Sequence, residues 1–244
     1  MIWLDAYERK ARLLPGLLVV IPVMIVIAAV GLREQPMVAF IGGLLGATGS
    51  PVLLVNTVRD RGLKVQEILI EQWGGMPTTI SLRHRGAASD DERRAHWRAN
   101  VIRATGRGLS SSVEEASDPG ATDARYTAAI ADIREMTRDT SRFPLVFEEN
   151  RNFGFERNLL GARPLGIWVA ALCSLALLAT VVLRLGDVIE GSRADALVAL
   201  AFTIGMSAMW VWLPSADRVR RVGFRYAERL LDSAGQVTER GATT

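Results

Sequence analysis

Four stretches of this 244-residue chain contain no Asp, Glu, Lys or Arg. They are Leu13–Leu32 (20 residues), Gln35–Val58 (24), Pro164–Leu183 (20) and Ala196–Ala216 (21). A helix needs about 20 mainly apolar residues to cross a bilayer core of roughly 30 Å. Each interval meets that length, and its apolar character runs all round the helix instead of along one stripe. The chain is 23% charged yet has a mean hydropathy of +0.19, so charge and apolarity must be segregated along it. Four segments of matched length point to membrane helices over the buried core of a soluble protein. The first follows the charged stretch "DAYERKAR". It is long for a secretory signal core and a second apolar segment follows at once, so it is expected to be retained.

Basic residues set the expected orientation. Arg9, Lys10 and Arg12 precede the first span, whereas the first hairpin has only Arg33. Arg59, Arg61 and Lys64 follow the second span; Arg151, Arg157 and Arg163 precede the third. The second hairpin, Arg184–Asp195, has two Arg against three acids. Arg218, Arg220, Arg221, Arg225 and Arg229 follow the fourth span. This pattern predicts a multi-pass membrane protein with both termini and the central polar region in the cytoplasm and both hairpins facing out. Trp168, Trp210 and Trp212 all fall at the cytoplasmic ends of spans, as interfacial anchors would.

The predicted class is an all-α membrane protein, with two transmembrane helix pairs flanking a mainly helical cytoplasmic insert. Residues 1–58 hold the first pair, with spans at about 13–32 and 36–58. Residues 59–163 form the insert. The second pair occupies 164–216, with spans at about 164–183 and 196–214, and 217–244 form a basic tail. Within the insert, apolar residues at 65, 68, 69 and 73 extend a helix from the second span to Trp73. Gly74 then suits the left-handed residue that ends a helix. Further helices are expected at Asp90–Ala104, with acids at its N-terminus, and around Asp123–Thr137. The stretch "GRGLSSSVEEASDPGATD" between them reads as loop.

Signatures of enzymes are mostly missing. His84 and His96 do not form a His-Glu-x-x-His pair, no Gly-x-Ser-x-Gly elbow occurs, and "GRGLSSS" lacks the lysine of a phosphate-binding loop. Cys173 is the one cysteine and lies in the third span, which excludes a disulfide framework and a cysteine metal site. No cofactor, metal or catalytic residue is expected.

Anion binding has more to support it. "WGGMPTTISLRHRG" (Trp73–Gly86) sets an indole, two glycines and a threonine pair before Arg83-His84-Arg85. Arg93, His96, Asn100 and Arg103 share one helical stripe, with Trp97 on a different side. Residues 83–107 hold seven Arg against three acids. Arginine's planar fork suits phosphate oxygens and can stack on a base. The candidate ligand-binding residues on these grounds are Trp73, Thr78, Thr79, Arg83, His84, Arg85, Arg93 and Arg98. A solvated polar helix face would look the same, and both readings stand at this point. "FPLVFEENRNFGFERN" (Phe143–Asn158) holds four of the seven Phe and reads as a packed joint between insert and membrane.

No span contains an ionisable residue, which argues against proton relays and ion-coupled transport. Gly42, Gly46 and Ser50 repeat at the spacing that lets helices approach closely. Together with Asn56 they are the candidates for helix packing or a pore, which two helix pairs could enclose only in an oligomer. The tail "DRVRRVGFRYAERLLDSAG" is basic and partly amphipathic. It suits either anionic headgroups or the surface of a neighbouring subunit.

"WGGMPTT", "LRHR", "FPLVFEENRNFGFERN" and "GARPLG" resemble the membrane component of Hailong-type bacterial antiphage systems. The resemblance covers Gln72–Gly166 best. In arrangement the chain is also similar, more broadly, to membrane effectors of nucleotide-signalling defence systems. The resemblance implies a homotetrameric, ligand-gated ion channel. A single-stranded DNA oligomer from a partner nucleotidyltransferase would hold it closed. Loss of that oligomer would depolarise the membrane and arrest growth, as in abortive infection. It implies nothing about which residues bind the oligomer; that assignment rests on chemistry alone. A membrane-tethered enzyme using His84 on a phosphorylated or lipid substrate, and a non-conducting sensor or scaffold, are the competing readings.

Overall fold

The computed structural model describes residues 9–31, 50–85 and 90–239. All regular structure among them is helical: α1 (Leu14–Val30), α2 (Ser50–Trp73), α3 (Pro77–Leu82), α4 (Asp91–Thr105), α5 (Ser112–Ser117), α6 (Pro119–Met136), α7 (Pro144–Leu185), α8 (Arg193–Trp212) and α9 (Ala216–Glu239). A single π-helical turn, Arg9–Leu13, leads into α1. The helices form two compact units. One takes the chain up to Gln66 together with Gly154–Ala216; the other takes Glu67–Phe153 and the chain from Asp217.

In the first unit, three helical stretches are long and apolar enough to cross a membrane: Lys10–Val30, part of Pro144–Leu185, and Arg193–Trp212. Of the expected second span, only the part from Ser50 onward is described; Gly42 and Gly46 lie outside the described residues. Instead of a separate third span, α7 runs 42 residues and contains both the apolar segment and the phenylalanine-rich stretch before it. Pro15 occupies the first turn of α1, where its missing N–H costs nothing. Gly31, at φ 81°, ends that helix and donates to the carbonyls of Ala28 and Ile27. Ser192 caps α8 by accepting from the N–H of Asp195.

The core of this unit gathers Val19, Val58, Leu159, Ala162, Ala170, Met206 and Trp210. Small residues permit its closest approaches. A Cβ on Gly161 would lie 2.6 Å from the backbone nitrogen of Gly62, and one on Gly166 would lie 2.2 Å from Cε2 of Trp210. Trp210 is therefore a fully buried core residue, not the interfacial anchor expected; Trp168 and Trp212 are the exposed indoles. The outward faces of α7 and α8 carry Leu172, Leu175, Val182, Val198, Phe202 and Ile204, all exposed. Apolar exposure on that scale marks a surface made for lipid or for another subunit.

In the second unit, α2 ends as the glycine spacing predicts. Gly74 is left-handed (φ 77°), its N–H donates to Glu71 O at 3.1 Å, and that of Gly75 donates to Ile70 O at 2.9 Å. These two bonds satisfy carbonyls that a helix end otherwise leaves bare. The segment after the glycines holds the short helix α3. One expectation gives way here. The stretch 106–123 is not a loop throughout: Ser111 and Glu114 form a capping box that starts α5, and Asp118 caps α6. Helix α9 buries Val219, Val222, Tyr226, Leu230 and Leu231, and belongs to the same unit as the insert. Tyr226 stacks on Phe153 with ring centroids 6.4 Å apart. The N–H of Trp97 reaches Oδ1 of Asp232 at 2.6 Å.

Candidate anion-binding site

The arginines singled out from the sequence do come together, but they meet acids supplied from farther along the chain. Arg83 follows α3, is 9% exposed, and binds Asp123 of α6 through two parallel bonds: Nε to Oδ1 at 2.8 Å and Nη2 to Oδ2 at 2.7 Å. Its Nη2 also donates to Gly74 O at 2.8 Å. One guanidinium thus ties the end of α2 to α6. A Cβ on Gly75 would strike that Nη2 at 2.6 Å, so the second glycine leaves room for the arginine.

Arg85 donates to the same Asp123 (2.5 Å) and to Oε1 of Glu115 (3.1 Å). Glu115 is 1% exposed and accepts from the backbone N–H groups of His84 and Arg85, each at 2.9 Å, and from the Tyr126 hydroxyl at 2.8 Å. Burial alone would raise its carboxyl. The Arg85 and His84 N–H groups, the Tyr126 hydroxyl and the Arg85 charge outweigh that and hold it below the usual carboxylate range. Arg98 donates to Leu82 O at 2.7 Å, to the Tyr126 hydroxyl at 2.9 Å and to Ser110 O, and lies over the Tyr126 ring. Arg94 supports the same turn from α4, donating to the carbonyls of Arg83 and His84.

Of the eight predicted ligand residues, Arg83, Arg85 and Arg98 therefore converge on α5 and α6 as internal braces. Thr78 and Thr79 are buried in α3, and Trp73 is half-buried at the end of α2. Arg93 faces elsewhere: its guanidinium stacks on Trp97 at 4.8 Å and pairs with Glu228 of α9 at 3.3 Å. Along the expected stripe on α4, Asn100 is buried near Gly235, bonds His96 at 2.9 Å and accepts from Arg103 at 3.4 Å, while His96 and Arg103 are exposed. Of the eight, the exposed ones are His84 and part of Arg85 at this cluster, and Arg93 on its own face. Among the pore candidates, Asn56 is exposed on α2 and Ser50 opens that helix.

Glu115, Asp123, Tyr126 and Arg94 complete the cluster, and sequence reasoning passed over them. The only available signal was the half-apolar neighbourhood of Glu115, which resembles any solvated acidic pair. Among the described residues, no group of three or more His, Cys, Asp or Glu is placed to hold a metal ion. Comparison with protein-family models, with curated proteins and with solved structures finds no match for the chain.

Proposed function

We propose that this protein is an oligomeric transmembrane ion-channel effector of bacterial antiphage defence. Its helical polar unit would bind a single-stranded DNA oligomer from a partner nucleotidyltransferase and hold the pore closed. Loss of the oligomer opens the pore, depolarises the inner membrane and stops growth. The observation that best supports a membrane-embedded assembly is the exposed apolar surface of α7 and α8, which one copy leaves uncovered. The assignment to defence rests on the resemblance of residues Gln72–Gly166.

In this reading His84 and the outer edge of Arg85 touch the ligand. Thr78, Thr79, Arg83 and Arg98 position that edge without contacting the ligand. A ligand favours the closed state only by as much as it binds that state more tightly. Ion flux from liposomes carrying the purified protein, with and without short single-stranded oligonucleotides, tests the proposal. Flux suppressed by oligonucleotide is expected, with suppression weakened in Arg85→Gln. Silence of an intact oligomer with and without oligonucleotide would defeat it, and product formation from a phosphorylated substrate would favour an enzyme.

A further inference from the structure

A row of arginines without a hydrogen bond or ion pair among the described residues lies elsewhere, on α9. Arg221, Arg225 and Arg229 are exposed and make no hydrogen bond or ion pair among the described residues. Spaced four apart, they share one helix face, with successive positions rising about 6 Å. Arg220 adds a fourth exposed cation, lying over Phe224. Two acids of the same helix are engaged by α4. Glu228 pairs with Arg93, and Asp232 accepts from Trp97. Asp217 sits in the first turn, where the helix N-terminus favours it. Asp217 also lies four residues before Arg221, so along this row three guanidinium groups meet one carboxylate.

We propose that this face binds the phosphate headgroups of anionic phospholipids. Three residues, Leu213–Ser215, separate α9 from α8, whose terminal Trp212 is 80% exposed as an interfacial indole would be. A basic cluster directly after a spanning helix meets the negative surface of its own leaflet at high local concentration. The opposite, apolar face of α9 is already buried through Val219, Val222, Tyr226 and Leu230. The helix therefore has no apolar face to sink between acyl chains, and the contact is electrostatic, held at the phosphate level. Arginine forks suit phosphate oxygens better than lysine ammonium groups do.

The test is native mass spectrometry of the full chain in detergent, offered phosphatidylglycerol or phosphatidylcholine. The wild-type protein is expected to retain phosphatidylglycerol preferentially, and less of it as salt rises. The triple substitution Arg221→Gln, Arg225→Gln, Arg229→Gln should weaken retention about a hundredfold, at roughly fivefold per arginine. Its melting temperature should stay unchanged, because these side chains brace nothing. The single Arg225→Gln, about fivefold weaker, reads the same effect should the triple variant fail to fold. Equal retention by wild type and these variants would overturn the assignment. It would also fall if an offered single-stranded oligonucleotide bound through these arginines while phosphatidylglycerol retention did not depend on them.

Discussion

Arg83 and Asp123 face each other forty residues apart in sequence and share two parallel hydrogen bonds of 2.8 and 2.7 Å. The arginine is nearly buried and the aspartate about a quarter exposed, so the pair lies between a surface bridge and a fully desolvated one. Removing one partner of such a pair is costlier than the pair's net worth, because a charge is left without compensation. Asp123→Asn is expected to destabilise the polar unit by about 2 kcal/mol, the low end for buried pairs, since Asp123 retains some water. Arg83→Lys should recover little of the loss of Arg83→Ala, because an ammonium cannot make the two-pronged contact. Thermal unfolding of the purified protein checks both; a lysine variant as stable as wild type would show that the fork is dispensable.

Glu115 makes the same unit sensitive to acid. Its carboxyl is held below the ordinary value of about 4.3, so the folded state binds its proton less readily than the unfolded chain does. The stability it contributes is complete above that ordinary value and is lost as pH falls through the lower, folded one. Unfolding curves from pH 6 down to pH 2 should show this loss, beginning below about pH 4. Glu115→Gln should lower stability at neutral pH and flatten the acid limb. An unchanged acid limb would remove Glu115 as its source.

The contrast between these two acids and the rest of the chain shows what a sequence can reveal here. Apolar intervals of 20 residues are constrained by bilayer thickness, and glycine ends helices because it lacks a Cβ, so α1, α8 and the end of α2 were legible. Helix α3 was not, since six residues carry too little periodicity. Arg83 and Arg85 look free in the sequence because their neighbours include no acid, and their acidic partners come from α5 and α6, about 30 to 40 residues on; Arg98 is held by Leu82 O, Ser110 O and the Tyr126 hydroxyl. A single strand of text cannot show which charges neutralise which. It could not show that the basic tail hides an apolar face against its own unit either.

Close backbone approach in the first unit predicts a sharp difference between glycines. A Cβ at position 161 meets Gly62 N at 2.6 Å and the carbonyl carbon of Arg61 at 2.7 Å, and backbone cannot swing aside as a side chain can. Asn158, one turn earlier, is buried and donates to Ala11 O at 2.7 Å, so any separation also strands a buried amide. Gly161→Ala should therefore cost roughly 2 kcal/mol or more, the scale of overpacking in a filled core. Gly108→Ala, with open space around the new methyl group, should leave the melting temperature unchanged. Equal melting temperatures for the two variants would mean that α2 and α7 tolerate a wider crossing.

Helix α9 supplies the largest expected effect, because a single cut removes a whole side of the polar unit's core. Val219, Val222, Ala227, Leu230, Leu231 and Ala234 are all at most 5% exposed, and Trp97 of α4 is 1% exposed with its N–H on Asp232. Ending the chain after Ser215 removes every one of these partners and leaves that indole donor without its acceptor. Burying a single large aliphatic side chain contributes roughly 1.5–3 kcal/mol. Losing Val219, Val222, Leu230 and Leu231 together therefore removes roughly 6–12 kcal/mol, comparable to the roughly 5–15 kcal/mol that typically separates folded from unfolded domains. The truncated protein should consequently show rapid proteolysis within Glu67–Phe153, while Trp97→Phe, which loses the bond to Asp232 and part of the buried ring but keeps an aromatic face for Arg93, should remain folded with a lower melting temperature. Limited proteolysis of the two variants side by side, mapped by mass spectrometry, measures this. A truncated chain as resistant as wild type would mean that α9 is an appendage after all.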